Sequence, residues 1–120
     1  MQLRALRGAI LCQENSKEEI VERTAQLLRE MIKRNDVRPE DIVDVIFTAT
    51  EDLNAEFPAA AARHIGLTHV PLLCARELSI TDGAPRCIRV LMHFYTRKHP
   101  HELRHPYLEG ARQLRTDLPE

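Results

Sequence analysis

The sequence predicts an α/β fold in which one β-sheet is covered by a single long helix. Three observations carry that expectation. Residues 16–35 keep a helical period, several separate stretches are rich in β-branched and apolar residues, and turn residues divide them. The resulting order is β-α-β-α-β-β, with a further strand at the C-terminal end.

The elements follow one by one. "LRALRGAI" reads as a first strand ending around Gly8. From Ser16 the apolar positions Ile20, Thr24, Leu27, Leu28, Met31 and Ile32 form one stripe of a helix. Ser16 and Glu19 have the spacing of a capping box, and Asn35 is a stop signal. "RPEDI" turns into "IVDVIFTAT", a second strand. "FPAAAARHIG" reads as a short helix, with Pro58 in its first turn and Gly66 as its C-terminal cap. "HVPLLCARE" is a third strand, placed at a sheet edge or end by Pro71. "TDGAP" is a turn, and residues 86–96 form a fourth strand. "KHPHELRHPYL" predicts one helical turn between prolines, and "YLEGARQLR" a last strand.

At 120 residues the chain is expected to form one domain, residues 1–120, around a single core. Seventeen basic against eighteen acidic side chains leave a net charge of −1, which argues against nucleic acid or a membrane surface as partner. No stretch approaches a membrane span, and the start lacks the apolar run of a signal peptide. Cys12, Cys74 and Cys87 are an odd count without metal-type spacing, so a reduced, cytoplasmic protein is expected.

One strand raises a functional question. In "CIRVLMHFYT", residues 87–96, Ile88, Val90, Met92 and Phe94 suit a core, while Arg89 shares the other face with Cys87, Leu91, His93 and Tyr95. The first strand splits alike, with Arg7 among Leu3, Ala5 and Ala9. A guanidinium cannot shed its charge, so at such positions it either snorkels to water or meets an anion. One long helix covers only one sheet face, so the arginine face is expected to meet another subunit or line a site at that contact.

"HELRH", residues 101–105, matches the zinc-protease pattern H-E-x-x-H. Its context is wrong: Pro106 follows the second histidine and pushes it out of helical geometry. A solvated, proline-bounded turn is the expected structure. His64, His69 and His93 are isolated, and no metal site or cofactor is assigned. The chain has no nucleophile elbow, phosphate-binding loop or dinucleotide fingerprint.

Five ordered segments, "RGAI" at 7–10, "ATEDLNAEFPAAAAR" at 49–63, "VPLLCARE" at 70–77, "CIRV" at 87–90 and "LRHPYLEGARQLRTDL" at 103–118, span nearly the whole chain. Together they resemble the monofunctional chorismate mutases of the trimeric, barrel-like (bacillus-type) class. The resemblance implies a homotrimer forming a pseudo α/β barrel, with active sites between subunits and no cofactor. The implied reaction is the Claisen rearrangement of chorismate to prephenate, in phenylalanine and tyrosine biosynthesis.

Carried over by position, Arg7 and Tyr107 match groups that bind substrate carboxylate, and Arg89 matches the arginine on the breaking ether oxygen. Glu77 and Cys74 match the surroundings of the ring hydroxyl. Phe57 and Arg63 match a wall and rim supplied across the interface, and Leu114 and Arg115 a closing C-terminal segment. The chain departs from the pattern at Ala60, where some relatives carry a charge, and at Pro106, where an aliphatic residue is more usual. A non-catalytic trimeric module that binds a small carboxylate is the alternative reading. Glu77 weighs against it, since a carboxylate sensor has no need of a second carboxylate.

Overall fold

The computed structural model describes residues 1–114 and 119–120. Five strands form one mixed sheet in the order β3-β2-β4-β1-β5. They are β1 (Gln2–Leu11), β2 (Ile42–Ala49), β3 (Leu72–Arg76), β4 (Cys87–Thr96) and β5 (Tyr107–Leu108). The long helix α1 (Lys17–Arg34) joins β1 to β2, and the short helix α2 (Ala60–His64) joins β2 to β3. β4 is the last long strand in the chain, yet it lies between β1 and β2 and is antiparallel to both.

The core follows from the alternation along the strands. Leu6 and Ile10 of β1, Val45 and Phe47 of β2, and Ile88, Val90, Met92 and Phe94 of β4 are buried against Ile20, Leu27, Leu28 and Met31 of α1. Each such side chain contributes roughly 1.5–3 kcal/mol by leaving water. α1 begins where its capping residue predicts, with the Glu19 N–H donating to Ser16 Oγ at 3.1 Å. The reciprocal half of the box is absent, because Glu19 Oε2 accepts from the Gln13 N–H instead, at 2.8 Å.

Three expectations are corrected. β1 runs to Leu11 rather than Gly8, because it pairs over its whole length with the ten-residue β4. The last strand is two residues long, and a 3-10 turn at Arg112–Leu114 follows it. β3 starts only after Pro71, at the sheet edge where such a residue belongs. Among the described residues no helix is long and apolar enough to cross a membrane.

The second sheet face is only partly covered. The C-terminal segment seals one end of it, where Ala9, Cys87, Tyr107 and Ala111 form a small buried cluster with Leu114 packed against it. Leu3, Leu73 and Tyr95 remain exposed.

Gly8 is where helix, sheet and C-terminal segment come closest. A Cβ there would lie 3.0 Å from Leu27 Cδ1, 3.0 Å from the Pro106 carbonyl oxygen and 3.1 Å from Met31 Sδ. That carbonyl is already bonded to the Ala9 N–H at 3.0 Å and has no freedom to retreat. Gly8→Ala is therefore expected to lower stability by about 1–3 kcal/mol, as overpacking does. Urea unfolding, with the midpoint falling at unchanged slope, is the measurement that checks it.

Candidate active site

Register brings the predicted residues together on the open sheet face. Thr48 of β2 and Ala9 of β1 flank Arg89 of β4, and Tyr107 of β5 continues the row beyond Ala9. One rung away, Arg7 stands opposite Leu91 and Leu91 opposite Ile46. Glu77 follows the end of β3, where its N–H donates to the Ala49 carbonyl at 3.0 Å. Arg7, Ile46, Thr48, Glu77, Arg89 and Leu91 line one cleft of about 430 Å³.

Arg89 meets an anion rather than only water. Its Nε lies 3.2 Å from Glu77 Oε2, with the two side chains 28 % and 19 % exposed. The N–H is not aligned on that oxygen, however, and this buried Nε has no hydrogen-bond partner. Glu77 Oε2 also accepts a hydrogen bond from Thr48 Oγ1. A half-buried cation with one buried, unpaired donor thus lines a cleft, and a hydroxyl bonds the carboxylate beside it.

Cys87, two residues before Arg89 on the same face, supplies no nucleophile. Burial pushes its thiol up to about 11, outweighing the opposing pull of Arg89. Cys12 is likewise raised to about 11, chiefly by burial. Both are neutral near pH 7, and a thiol must ionise to attack.

Other predicted residues lie elsewhere on this chain. Phe57 is 68 % exposed and shares a separate cleft of about 440 Å³ with Cys74 and Arg76. That cleft has no residue in common with the Arg89 cleft. Arg63 is exposed in the last turn of α2. Tyr107 is buried with Ala9 and Cys87, and Leu114 packs beside them. Arg115 lies outside the described residues.

The "HELRH" segment is not a joint metal site. His101 is exposed and stacks on His99, with ring centres 5.7 Å apart. His105 is buried and accepts the Arg7 N–H on Nδ1 at 3.0 Å. His93 pairs with Asp44 at 2.7 Å. Sequence reasoning missed Thr48 and His105. Alternation along β2 puts Thr48 on the arginine face, a readable signal, whereas His105 was hidden inside the metal motif.

Fold and cleft together define an α/β protein whose open sheet face carries a cleft lined by two arginines and a carboxylate. Residues 3–118 match the family of type I chorismate mutases. The chain is 42 % identical to the chorismate mutase AroH of Bacillus subtilis over 119 residues, covering 98 % of this chain and 94 % of that one. It is 45 % identical to the chorismate mutase AroH of Thermus thermophilus over 117 residues, covering 97 % and 96 %. A solved chorismate mutase from Clostridium thermocellum has 43 % identity and a TM-score of 0.90, over 92 % of this chain and 98 % of that one. The chain belongs to the type I chorismate mutase family.

If Cys87 is a packing residue, Cys87→Ala should keep kcat within about fivefold of the parent. Loss of nearly all activity in a folded variant would give the thiol a chemical part that its raised pKa denies it.

Proposed function

We propose that the cleft of Arg7, Glu77 and Arg89 is where this chorismate mutase rearranges chorismate to prephenate, a step of aromatic amino-acid biosynthesis. One observation carries the assignment: Arg89, whose buried Nε lies unbonded beside the Glu77 carboxylate, lines an open cleft.

The reaction is intramolecular. The ether C–O bond breaks as a C–C bond forms, and no proton, electron pair or group leaves the molecule. No acid, base or nucleophile is required. What limits the uncatalysed rate is the rarity of the folded conformer that brings the two termini into contact, and the charge that builds on the ether oxygen. Holding the substrate in that conformer lowers the entropic part of the barrier. A fixed donor at the oxygen stabilises the transition state more than the ground state.

In this reading Arg89 donates to the ether oxygen, while Arg7 and Tyr107 hold carboxylate. Glu77, kept in place by Thr48, accepts from the ring hydroxyl. Cys74, which lies in the separate Phe57 cleft of its own chain, reaches that site from the neighbouring chain. Arg89 is preorganised because its strand is central and its neighbours in the row, Thr48 and Ala9, are short. Glu77 offsets the cost of holding the guanidinium part-buried before substrate arrives.

The functional unit is a homotrimer in the cytoplasm, each chain one domain. Phe57 and Arg63 of one chain complete the Arg89 cleft of its neighbour, and Leu114 stands at its closing side. Two features support that division. The Phe57 cleft and the Arg89 cleft of one chain share no residue, and Leu73, Leu78 and Ile80 are 61 %, 82 % and 66 % exposed near the sheet edge. Apolar side chains in such numbers are what a subunit contact buries.

Two experiments test these roles. Arg89→Lys keeps the charge but loses the planar fork, so turnover should fall at least about a hundredfold while folding and assembly persist. Loss of chorismate absorbance, followed in the presence of chelator, is the assay, and near-parental turnover would remove Arg89 from the ether oxygen. Light scattering should report three chains. Mixing inactive Arg63→Ala and Arg89→Ala chains should restore part of the activity, since some mixed interfaces regain an intact site. No recovery would place both residues in one chain's site.

A further inference from the structure

We propose that His105 is a positioning residue for Arg7, its imidazole replacing a missing rung of the sheet; this rests on reading Arg7 as a ligand of the substrate carboxylate. β5 runs parallel to β1, with Ala9 opposite Tyr107 and Ile10 opposite Leu108. The Ala9 N–H donates to the Pro106 carbonyl at 3.0 Å. Continued two residues back, the same ladder would send the Arg7 N–H to the carbonyl of Arg104.

That carbonyl is engaged elsewhere. Asn35, buried at the end of α1, donates from Nδ2 to the Arg104 carbonyl at 2.9 Å and accepts the Arg104 N–H on Oδ1 at 2.7 Å. The Arg7 N–H turns instead to His105 Nδ1 at 3.0 Å. His105 is 8 % exposed, so water has little access to take its place. Its own N–H is tied to the Pro119 carbonyl at 2.6 Å, which fixes the backbone that carries the ring. To accept, Nδ1 must be bare and the ring proton must sit on Nε2.

Arg7 therefore sits where β1 parts from β5. On one side Arg7 stands opposite Leu91 of β4 without bonding it, and on the other its N–H is held by the imidazole. Without that acceptor the N–H is left unsatisfied, and the edge of β1 can recover only by rolling towards another partner. Rolling the strand swings the Arg7 side chain relative to Arg89 and Glu77. An arginine fork loses much of its hold on a carboxylate when its direction changes. His105 thus acts through Arg7.

Steady-state kinetics on chorismate with four variants test this. His105→Leu fills the space without an acceptor, while His105→Asn offers Oδ1 near the place of Nδ1. Arg7→Ala and the double variant Arg7→Ala/His105→Leu complete a cycle. We expect His105→Leu to raise KM about five- to tenfold with kcat within about twofold, as loss of ground-state binding does. His105→Asn should return KM to within about twofold of the parent, and in the Arg7→Ala background the leucine should change KM by less than about twofold.

The inference is overturned if asparagine fails as leucine does, if the leucine effect persists without the Arg7 side chain, or if only kcat falls. An Arg7→Ala variant with unchanged KM would instead reject Arg7 as a substrate ligand, and this inference with it. A raised KM in Arg7→Ala beside a normal His105→Leu would leave the Arg7 reading intact and reject His105 alone.

Discussion

The pairing of β1 with β4 is the constraint on which the rest depends. Gln2 to Leu11 lie opposite Thr96 to Cys87 without a break. Side chains alternate strictly along strands, so a slip of one residue would turn Arg89 under α1 and Val90 into the cleft. Hydrophobic burial forbids that slip, because Ile88, Val90, Met92 and Phe94 would all leave the core together. The same apolar alternation that stabilises the protein thereby sets the face from which its cations project.

The charges on the open face are economical. Glu77 touches Arg89, and Thr48 touches Glu77, so each polar group depends on the next. Such a chain is rigid where a solvated lysine would not be. On the proposed reading, it lets an intramolecular rearrangement be accelerated without acid, base or nucleophile. The work lies in the fixed direction of a dipole and a charge, and both are set by backbone register.

Much of this was legible in the residues. α1 could be read with its caps, because helix ends and apolar stripes are local signals. Arg89 stood out as a cation in an apolar strand, and Arg7 by the same logic. The length of β1 was not legible, since it is dictated by a partner strand at residues 87–96. The last strand was overestimated because only Tyr107 and Leu108 find a neighbour in β1. Thr48 was passed over because threonine is ordinary in strands, and its bond to Glu77 depends on a non-local approach. Phe57 was tied to the site by family resemblance alone. Nothing in its local sequence says that it points into a cleft separate from Arg89.

The placement of β4 also shapes how the chain reaches its native state. The strand at the centre of the sheet is the last long one to be synthesised, and β1 and β2 do not pair with each other. Until residues 87–96 leave the ribosome, β1 and β2 have no shared neighbour and α1 no completed sheet to cover. N-terminal fragments should therefore stay unfolded with apolar strand edges exposed. Folding must close long loops before any long-range contact rewards it, which places this protein among slow, non-local folders despite its small size. The cationic cleft, lined by residues of β1, β2 and β4, then forms with the global transition rather than before it.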